Sequence, residues 1–251
     1  PDKMSQEKIS HLKALGAEVI NTRSDVEKGH PEYYQDMAER IARETPGSIY
    51  INQYGNPANP AAHEQTTGPE IWEQMEHRVD AVVCGVGSCG TITGLSRYFS
   101  RVSPKTEFVL DPAGSVLAGY IRTKKLDKAG SWFVEGIGED FIPPIADLSK
   151  VSKAYTISDA ESFSTARELL RLEGVLAGSS SGTLAAAALR YCRESRTPKR
   201  VVTIVADSGN KYLSKMFNDF WMADQGFLKK TEFGDLRDLV GRPFHEGSVA
   251  S

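Results

Sequence analysis

The sequence predicts an α/β protein with a largely parallel sheet and helices on both of its faces. Strand-length apolar segments alternate with segments of helical spacing along most of the 251 residues. The run 201–205 (VVTIV) is continuously apolar, which is typical of a central parallel strand buried on both faces. Glycine- and serine-rich loops follow several apolar runs, as expected where parallel strands end. We therefore expect a three-layer architecture.

Composition excludes several classes of protein. Hydrophobic residues make up 40% of the chain and charged residues 25%, and the formal net charge is −3. This charge gives no electrostatic reason to bind nucleic acid or an anionic membrane. No apolar run approaches the ~18 residues that a membrane span needs. The three cysteines, Cys84, Cys89 and Cys192, do not make a disulfide framework and lack other metal ligands nearby, so we expect a cytoplasmic protein without a metal site.

The most informative stretch is 82–94 (VVCGVGSCGTITG), where an apolar run leads into a glycine-rich turn and then into an amphipathic segment. That order predicts strand, loop and helix. Such a loop gathers backbone N–H groups at a helix N-terminus, and both features favour an anion, usually a phosphate.

Periodicity predicts the other elements, and Gly, Pro and capping residues set their ends. Ser158 and Glu161 have the spacing of a capping box at the start of one helix. Predicted helices cover 6–15, 31–44, 63–75, 95–99, 158–172 and 184–192. Predicted strands cover 17–20, 48–51, 81–84, 107–111, 154–157 and 201–205, whereas 52–60 reads as a loop and the pattern is lost from 220 onwards.

Loops that follow the apolar segments are the candidate site. Ligands of parallel α/β sheets bind at the carboxyl ends of the strands, so these loops are expected to converge on one crevice. They cover 85–91, 111–115, 135–138, 178–183 and 206–210.

Two kinds of phosphate ligand fit the first of these loops, one by the spacing of its glycines and one by its hydroxyl side chains. Residues 85–90 match G-x-G-x-x-G, and Asp111 lies about 20 residues further on, as in a dinucleotide site where an acid binds the ribose. The loop is also rich in hydroxyl side chains, which suit several hydrogen bonds to one terminal phosphate: Ser88, Thr91 and Thr93.

The stretch 87–94 (GSCGTITG) resembles the phosphate loop of the fold-type-II pyridoxal-phosphate enzymes, the group of cysteine synthase, cystathionine β-synthase and the tryptophan synthase β-subunit. The resemblance implies a tryptophan synthase β-subunit-like fold. Residues 1–50 would be part of the small N-terminal domain, 51–225 the large cofactor domain and 226–251 a tail or linker. Similar stretches lie at 1–5, 12–18, 53–60, 66–71, 111–115, 134–138, 140–143, 207–208 and 233–236.

The resemblance also implies residue roles. A loop of backbone N–H groups and hydroxyls would hold the phosphate of pyridoxal 5′-phosphate, a neutral hydroxyl would face its pyridine nitrogen, and a glycine would leave room for its ring. Those cofactor-binding residues are Gly87, Ser88, Cys89, Gly90, Thr91, Ser180 and Gly136. The substrate-binding residues would be Gln53 and Tyr54.

Two departures from the family pattern stand out. Cys89 occupies a position where the family usually has glycine, so a positive φ would strain the backbone there. The alternative is a tolerated substitution whose side chain points outward. The family's Schiff-base lysine lies upstream of the match to Pro1, so we assign no catalytic residue and expect no turnover from this chain alone.

The function implied by the resemblance is β-replacement on serine or an activated serine with homocysteine, giving cystathionine, as in a bacterial cystathionine β-synthase that lacks its N-terminal part. Cysteine synthase, using O-acetylserine and sulfide, is one alternative. An NAD(P)-binding oxidoreductase and a non-catalytic binding remnant are others. The expected partners are small amino-acid substrates and a second copy of the chain in a homodimer, without nucleic acid or membrane.

Overall fold

A computed structural model describes residues 1–111, 115–126 and 130–228. Within these ranges four parallel strands form one sheet in the order β3-β2-β1-β4. The strands are β1 (Ala81–Gly85), β2 (Glu107–Asp111), β3 (Val151–Ala154) and β4 (Val201–Thr203). The predicted α/β class with a parallel sheet is confirmed.

Helices surround this sheet, and the helix over 159–173 shows how capping residues set both of its ends. The Ser158 hydroxyl accepts a hydrogen bond from the Glu161 amide at the start of one helix, and Gly174 ends that helix at φ 69°. The helices are α1 (Gln6–Ala14), α2 (Tyr34–Glu44), α3 (Ala58–Ala62), α4 (Gly68–Gln74), α5 (Gly90–Val102), α6 (Val116–Thr123), α7 (Asp159–Glu173), α8 (Ser179–Glu194) and α9 (Asp219–Asp224).

Strand β1 lies at the centre of the three layers. Its side chains alternate between the two faces of the sheet, and residues 81–84 are at most 1% exposed. One face packs against α5, with Val82 and Cys84 in a cluster with Ile92, Leu95 and Phe99. The other face packs against α8, with Ala81 and Val83 in a cluster with Leu184, Ala187 and Tyr191.

Several predicted strands are wrong or displaced. No strand forms at 17–20 or 48–51, because no neighbouring strand within the described ranges offers hydrogen bonds to them. The strand expected at 154–157 occupies Val151–Ala154. The strand predicted at 201–205 is shortened to Val201–Thr203, and it lies at the edge of the sheet because, among the described strands, β4 pairs only with β1. Apolar composition predicted burial correctly for β1 but overstated it for β4.

Three loop predictions also need correction. The segment 52–60 turns helical at α3, and a single π-helical turn, His63–Thr67, joins α3 to α4. Residues 179–183 are the first residues of α8 rather than a loop before it. Beyond residue 220, where the pattern was expected to be lost, the chain still forms most of α9. The predicted tail, 226–251, lies outside the described residues from 229 onwards.

Candidate functional site

The loop between β1 and α5 is closed by a left-handed residue. Cys89 caps the N-terminus of α5 at φ 65°. This is the positive φ at which a residue with a Cβ strains the backbone, as expected for a cysteine at this position. The turn brings Gly87 and the first amides of α5 to the carboxyl end of β1. Those amides have no partner within the helix and are available to an anion.

The Cys89 side chain does not point outward, which corrects the simpler interpretation of this substitution. It is 3% exposed and belongs to the apolar cluster on the α5 face of the sheet. Its Sγ lies 3.6 Å from the Gly87 carbonyl oxygen, to which the thiol donates. Burial, with a smaller effect of the Glu139 charge, raises the pKa of the thiol to about 12. Cys89 is therefore a buried thiol and not a reactive thiolate.

Asn59 at the start of α3 contacts the loop from the opposite side. Its Nδ2 donates to the Ser88 hydroxyl at 3.1 Å and to the Gln53 carbonyl at 2.9 Å. A Cβ on Gly90 would collide with the amide of Asn59, so a larger residue there would displace this side chain from Ser88 and Gln53. The amide thus connects a predicted substrate residue, Gln53, to a predicted phosphate residue, Ser88.

His63 lies behind the loop, at the start of the π-helical turn. Its Nε2 is 3.2 Å from the Thr91 hydroxyl, and its Nδ1 is 3.0 Å from the Thr67 hydroxyl. Burial lowers the pKa of His63, which favours the neutral ring. One ring nitrogen therefore accepts and the other donates, which orients the Thr91 hydroxyl on the first turn of α5.

These segments enclose a cavity of about 170 Å³ at the carboxyl end of β1. Four of the five predicted loops contribute to it, whereas residues 112–114 of the fifth lie outside the described residues. The walls are Gln53, Cys84, Gly85, Gly87, Ser88, Cys89, Gly90, Thr91, Gly136, Ile137, Ser180, Leu184, Ile204 and Ala206. All seven predicted cofactor residues are among them.

The three consecutive serines at the start of α8 have different surroundings. Ser179 accepts a hydrogen bond from the Glu135 amide, and Ser181 accepts one from the Ala206 amide. Ser180 lines the cavity, is 4% exposed, and within the described chain its hydroxyl has no hydrogen-bond partner. The hydroxyl of Ser180 is therefore available to a ligand, whereas those of its two neighbours already hold the backbone.

The loop 134–139 forms the part of the wall next to the start of α8, where the Glu135 amide donates to Ser179. The Gly138 amide donates to the Val86 carbonyl at 2.7 Å, which attaches this loop to the end of β1. Gly136 has φ 87°, and a Cβ built on it meets no atom within 4 Å. A side chain at this position would extend into open space beside the cavity, so the glycine preserves that space.

Tyr54 does not line the cavity, unlike its neighbour Gln53. Its hydroxyl donates to Glu139 Oε1 at 2.6 Å and accepts from Tyr34 at 2.8 Å, and Gln35 donates to Tyr34 in turn. Glu139 is 8% exposed, and burial raises the pKa of its carboxyl group to about 7, although the Tyr54 hydrogen bond opposes this rise.

The sequence interpretation missed the functional importance of three side chains: Asn59, His63 and Glu139. Asn59 had a signal, because it lies in a segment dense in amide side chains. Nothing local distinguishes His63 or Glu139, since their partners lie 28 and 85 positions away.

The structure also bears on metal binding and on membrane insertion. No cluster of three or more His, Cys, Asp or Glu side chains in the described ranges has the arrangement of a metal site. Among the helices of residues 1–111, 115–126 and 130–228, none combines the length and apolar character of a bilayer span.

Comparisons with known proteins agree with one another on the family to which this chain is similar. Residues 1–207 match the protein family described as "PALP: Pyridoxal-phosphate dependent enzyme". The chain is 41% identical over 230 residues to a cystathionine beta-synthase of Apis mellifera, a match that covers 91% of this chain and 45% of that protein. It is 41% identical over 218 residues to cysteine synthase A of Escherichia coli K12, covering 85% and 67%.

A solved structure is also similar. The O-acetylserine dependent cystathionine beta-synthase from Helicobacter pylori superimposes with a TM-score of 0.76 at 37% identity, covering 86% of this chain and 67% of that chain. This chain spans about half the length of the cystathionine beta-synthases that it matches.

Proposed function

Because the chain belongs to the family of pyridoxal-phosphate dependent enzymes, we propose that the cavity at the end of β1 holds the phosphate of that cofactor. The N-terminus of α5 supports this assignment, since this helix begins at the cavity wall and places its positive dipole end there. Helix α8 begins at the same wall with Ser180, which leaves that end of the cavity for the ring. The hydroxyls of Ser88 and Thr91 add polar groups. Membership of this family gives no support to the NAD(P) alternative, in which Asp111 would bind a ribose.

The residues around the cavity fit this cofactor. The free hydroxyl of Ser180 is a neutral partner for the pyridine nitrogen, and the open space at Gly136 suits a flat ring. Pyridoxal phosphate, when bound, takes up the amino group of an amino-acid substrate and withdraws electrons from its Cα, so that a substituent on Cβ can leave. A neutral Ser180 leaves the ring nitrogen unprotonated, which suits replacement at Cβ, where charge at Cα is short-lived.

The reaction proposed is replacement of the β-substituent of serine or O-acetylserine by a thiol. Homocysteine as the thiol gives cystathionine, and sulfide gives cysteine. Relatives named for each product support the reaction class. Gln53 at the cavity wall and Asn59, which holds the Gln53 carbonyl, are the polar groups that would orient the substrate.

The observation that carries the proposal is the convergence of four loops on a cavity with hydroxyl groups at two helix N-termini. The test is a fluorescence titration of the purified chain with pyridoxal phosphate and with pyridoxal, which lacks the phosphate. We expect the phosphate form to bind more tightly, and Thr91→Val to weaken it about 10- to 100-fold, the range for a hydrogen bond to a charged group. Ser100→Ala, elsewhere on α5, is the control.

Equal binding of pyridoxal and pyridoxal phosphate by the wild-type chain would refute the phosphate site. The reaction is tested separately, by incubating the protein with serine or O-acetylserine and with homocysteine or sulfide. Mass spectrometry then distinguishes cystathionine from cysteine. Formation of neither product by a protein that contains the lysine expected upstream would refute the reaction.

We also propose the domain division and the setting of the protein. All cavity-lining residues fall between Gln53 and Ala206, which supports 51–225 as the cofactor domain. Free cysteines support the cytoplasm as the location. Exposed apolar side chains support a homodimer, which light scattering tests; the largest exposed fractions are those of Leu15, Ile49 and Ile51.

A further inference from the structure

Two glutamates of the loop 134–139 are almost completely buried, but only one is neutralised. Glu135 is 4% exposed and Glu139 is 8% exposed. Lys8 and Lys215 place their ammonium groups 2.7 and 2.6 Å from the two oxygens of Glu135. The negative charge of Glu135 is therefore balanced within the fold.

Glu139 has no such partner in the part of the chain that the structure describes. No cation lies within 4 Å of its carboxylate, and its only side-chain hydrogen bond there is from the Tyr54 hydroxyl to Oε1. Its second oxygen accepts no hydrogen bond from these residues. A buried carboxylate without a cation is unfavourable, and it is relieved by a proton or by a positive ligand.

The position of Glu139 favours a ligand. The Oε1 atom lies 3.7 Å from the site of a Cβ on Gly87, which is a residue of the cavity wall. The hydrogen bond from Gly138 to Val86 fixes the glutamate backbone at the end of β1. Glu139 is not itself a lining residue, so its unbalanced negative charge is held next to the cavity wall, beside Gly87.

Several charged and titratable groups surround this carboxylate. Lys3 and Lys28 act on it from outside ion-pair distance, with their ammonium groups over the rings of Trp132 and Phe141. The other groups that face it are Asp140, Tyr33, Tyr34, Tyr54 and the Cys89 thiol.

We propose that Glu139 binds the ammonium group of the second substrate, a thiol-bearing α-amino acid such as homocysteine. This inference rests on the proposed function, because the amino group of the first substrate is taken up by the cofactor and only the second amino acid brings a free ammonium. Sulfide carries no cation and gains nothing from Glu139. Lys3 and Lys28 are the cations available to the carboxylate of the same zwitterion.

A binding experiment tests this without turnover. The protein is loaded with pyridoxine 5′-phosphate, which lacks the reactive aldehyde, and is titrated calorimetrically with L-homocysteine or with 4-sulfanylbutanoate, the same thiol acid without the amino group. We expect wild type to favour homocysteine about 10- to 100-fold, as for a hydrogen bond between charged groups. In Glu139→Gln the two ligands should bind within about twofold of each other.

Asp140→Asn is the matched control, because it removes one negative charge from the neighbouring residue and should keep the preference. L-serine binding should be unchanged in Glu139→Gln. Equal binding of the two thiols by wild type, or an unchanged preference in Glu139→Gln, would overturn the inference. If pyridoxine phosphate does not bind, the proposed function fails separately, and the thiol titration is repeated without it because the position of Glu139 does not depend on the cofactor.

Discussion

Replacing Glu139 by glutamine should stabilise the protein at alkaline pH. Burial raises the pKa of this carboxyl group from its usual 4.5 to about 7 in the folded chain. The folded state therefore binds the proton more tightly than the unfolded state does, and ionisation of Glu139 lowers the free energy of unfolding. Glutamine retains an acceptor for the Tyr54 hydroxyl but cannot ionise.

The magnitude and the pH window follow from these two pKa values. Below about 4.5 the glutamate is protonated in both states and the substitution should change little. Between pH 4.5 and 7 the ionised glutamate lowers the free energy of unfolding progressively. Above about pH 7 this loss reaches about 3 kcal/mol, because each unit of difference between the two pKa values is worth about 1.4 kcal/mol. Because Glu139 is only 8% exposed, solvent screening reduces this value little.

Urea unfolding of the cofactor-free protein at pH 5, 6, 7 and 8 measures the effect. The difference between Glu139→Gln and wild type should rise across this series in favour of the variant. The same substitution at Glu168, an exposed residue of α7, is the control and should show no such rise. A difference that is independent of pH would show that Glu139 is not a buried carboxylate with a raised pKa, and would refute the reasoning.

Three further substitutions, one of them with a matched control, test the packing around the site, each by urea unfolding. Cys89→Val should cost about 2 kcal/mol because a β-branched residue resists φ 65°, whereas Cys84→Val in β1 should cost less than about 1.5 kcal/mol. Gly94→Ala, normally stabilising in a helix, should destabilise by about 1–3 kcal/mol because its Cβ meets the Pro60 carbonyl. Glu135→Gln should cost about 3–5 kcal/mol by leaving two lysines unpaired. Equal effects of the two cysteine substitutions, a stabilising Gly94→Ala or a neutral Glu135→Gln would contradict the respective prediction.

The centre of the fold was predictable because its signals are contiguous. Strand β1, the glycine loop and α5 follow one another within 81–102, so apolar content, glycines and helical spacing define all three. Convergence of the loops then follows from the parallel sheet. By contrast, the apolar stretches 17–20 and 48–51 looked like strands, but a strand requires a partner and none of the described strands pairs with them.

The sequence predicted which segments line the cavity better than it predicted which side chains there are already hydrogen-bonded. The run GSSSG offers three equivalent serines, and only the amides of Glu135 and Ala206 show that Ser179 and Ser181 are already engaged. Substrate contact by Tyr54 stays a prediction, and its hydroxyl donates to Glu139, which the sequence could not indicate. The partners in each case come from distant parts of the chain, which periodicity and spacing cannot align.

Glu135 and Glu139 show why this limit matters for function. Four positions apart in one glycine-rich loop, they look alike in the sequence and are buried to a similar degree. Lys8 and Lys215, 127 and 80 positions away, reach only the first of them. The first carboxylate is consequently part of the structural core, since its charge is balanced before any ligand arrives. At Glu139, by contrast, a proton and a cationic ligand compete for the same carboxylate. A cationic ligand should therefore bind more tightly as the pH rises through about 7 and Glu139 ionises.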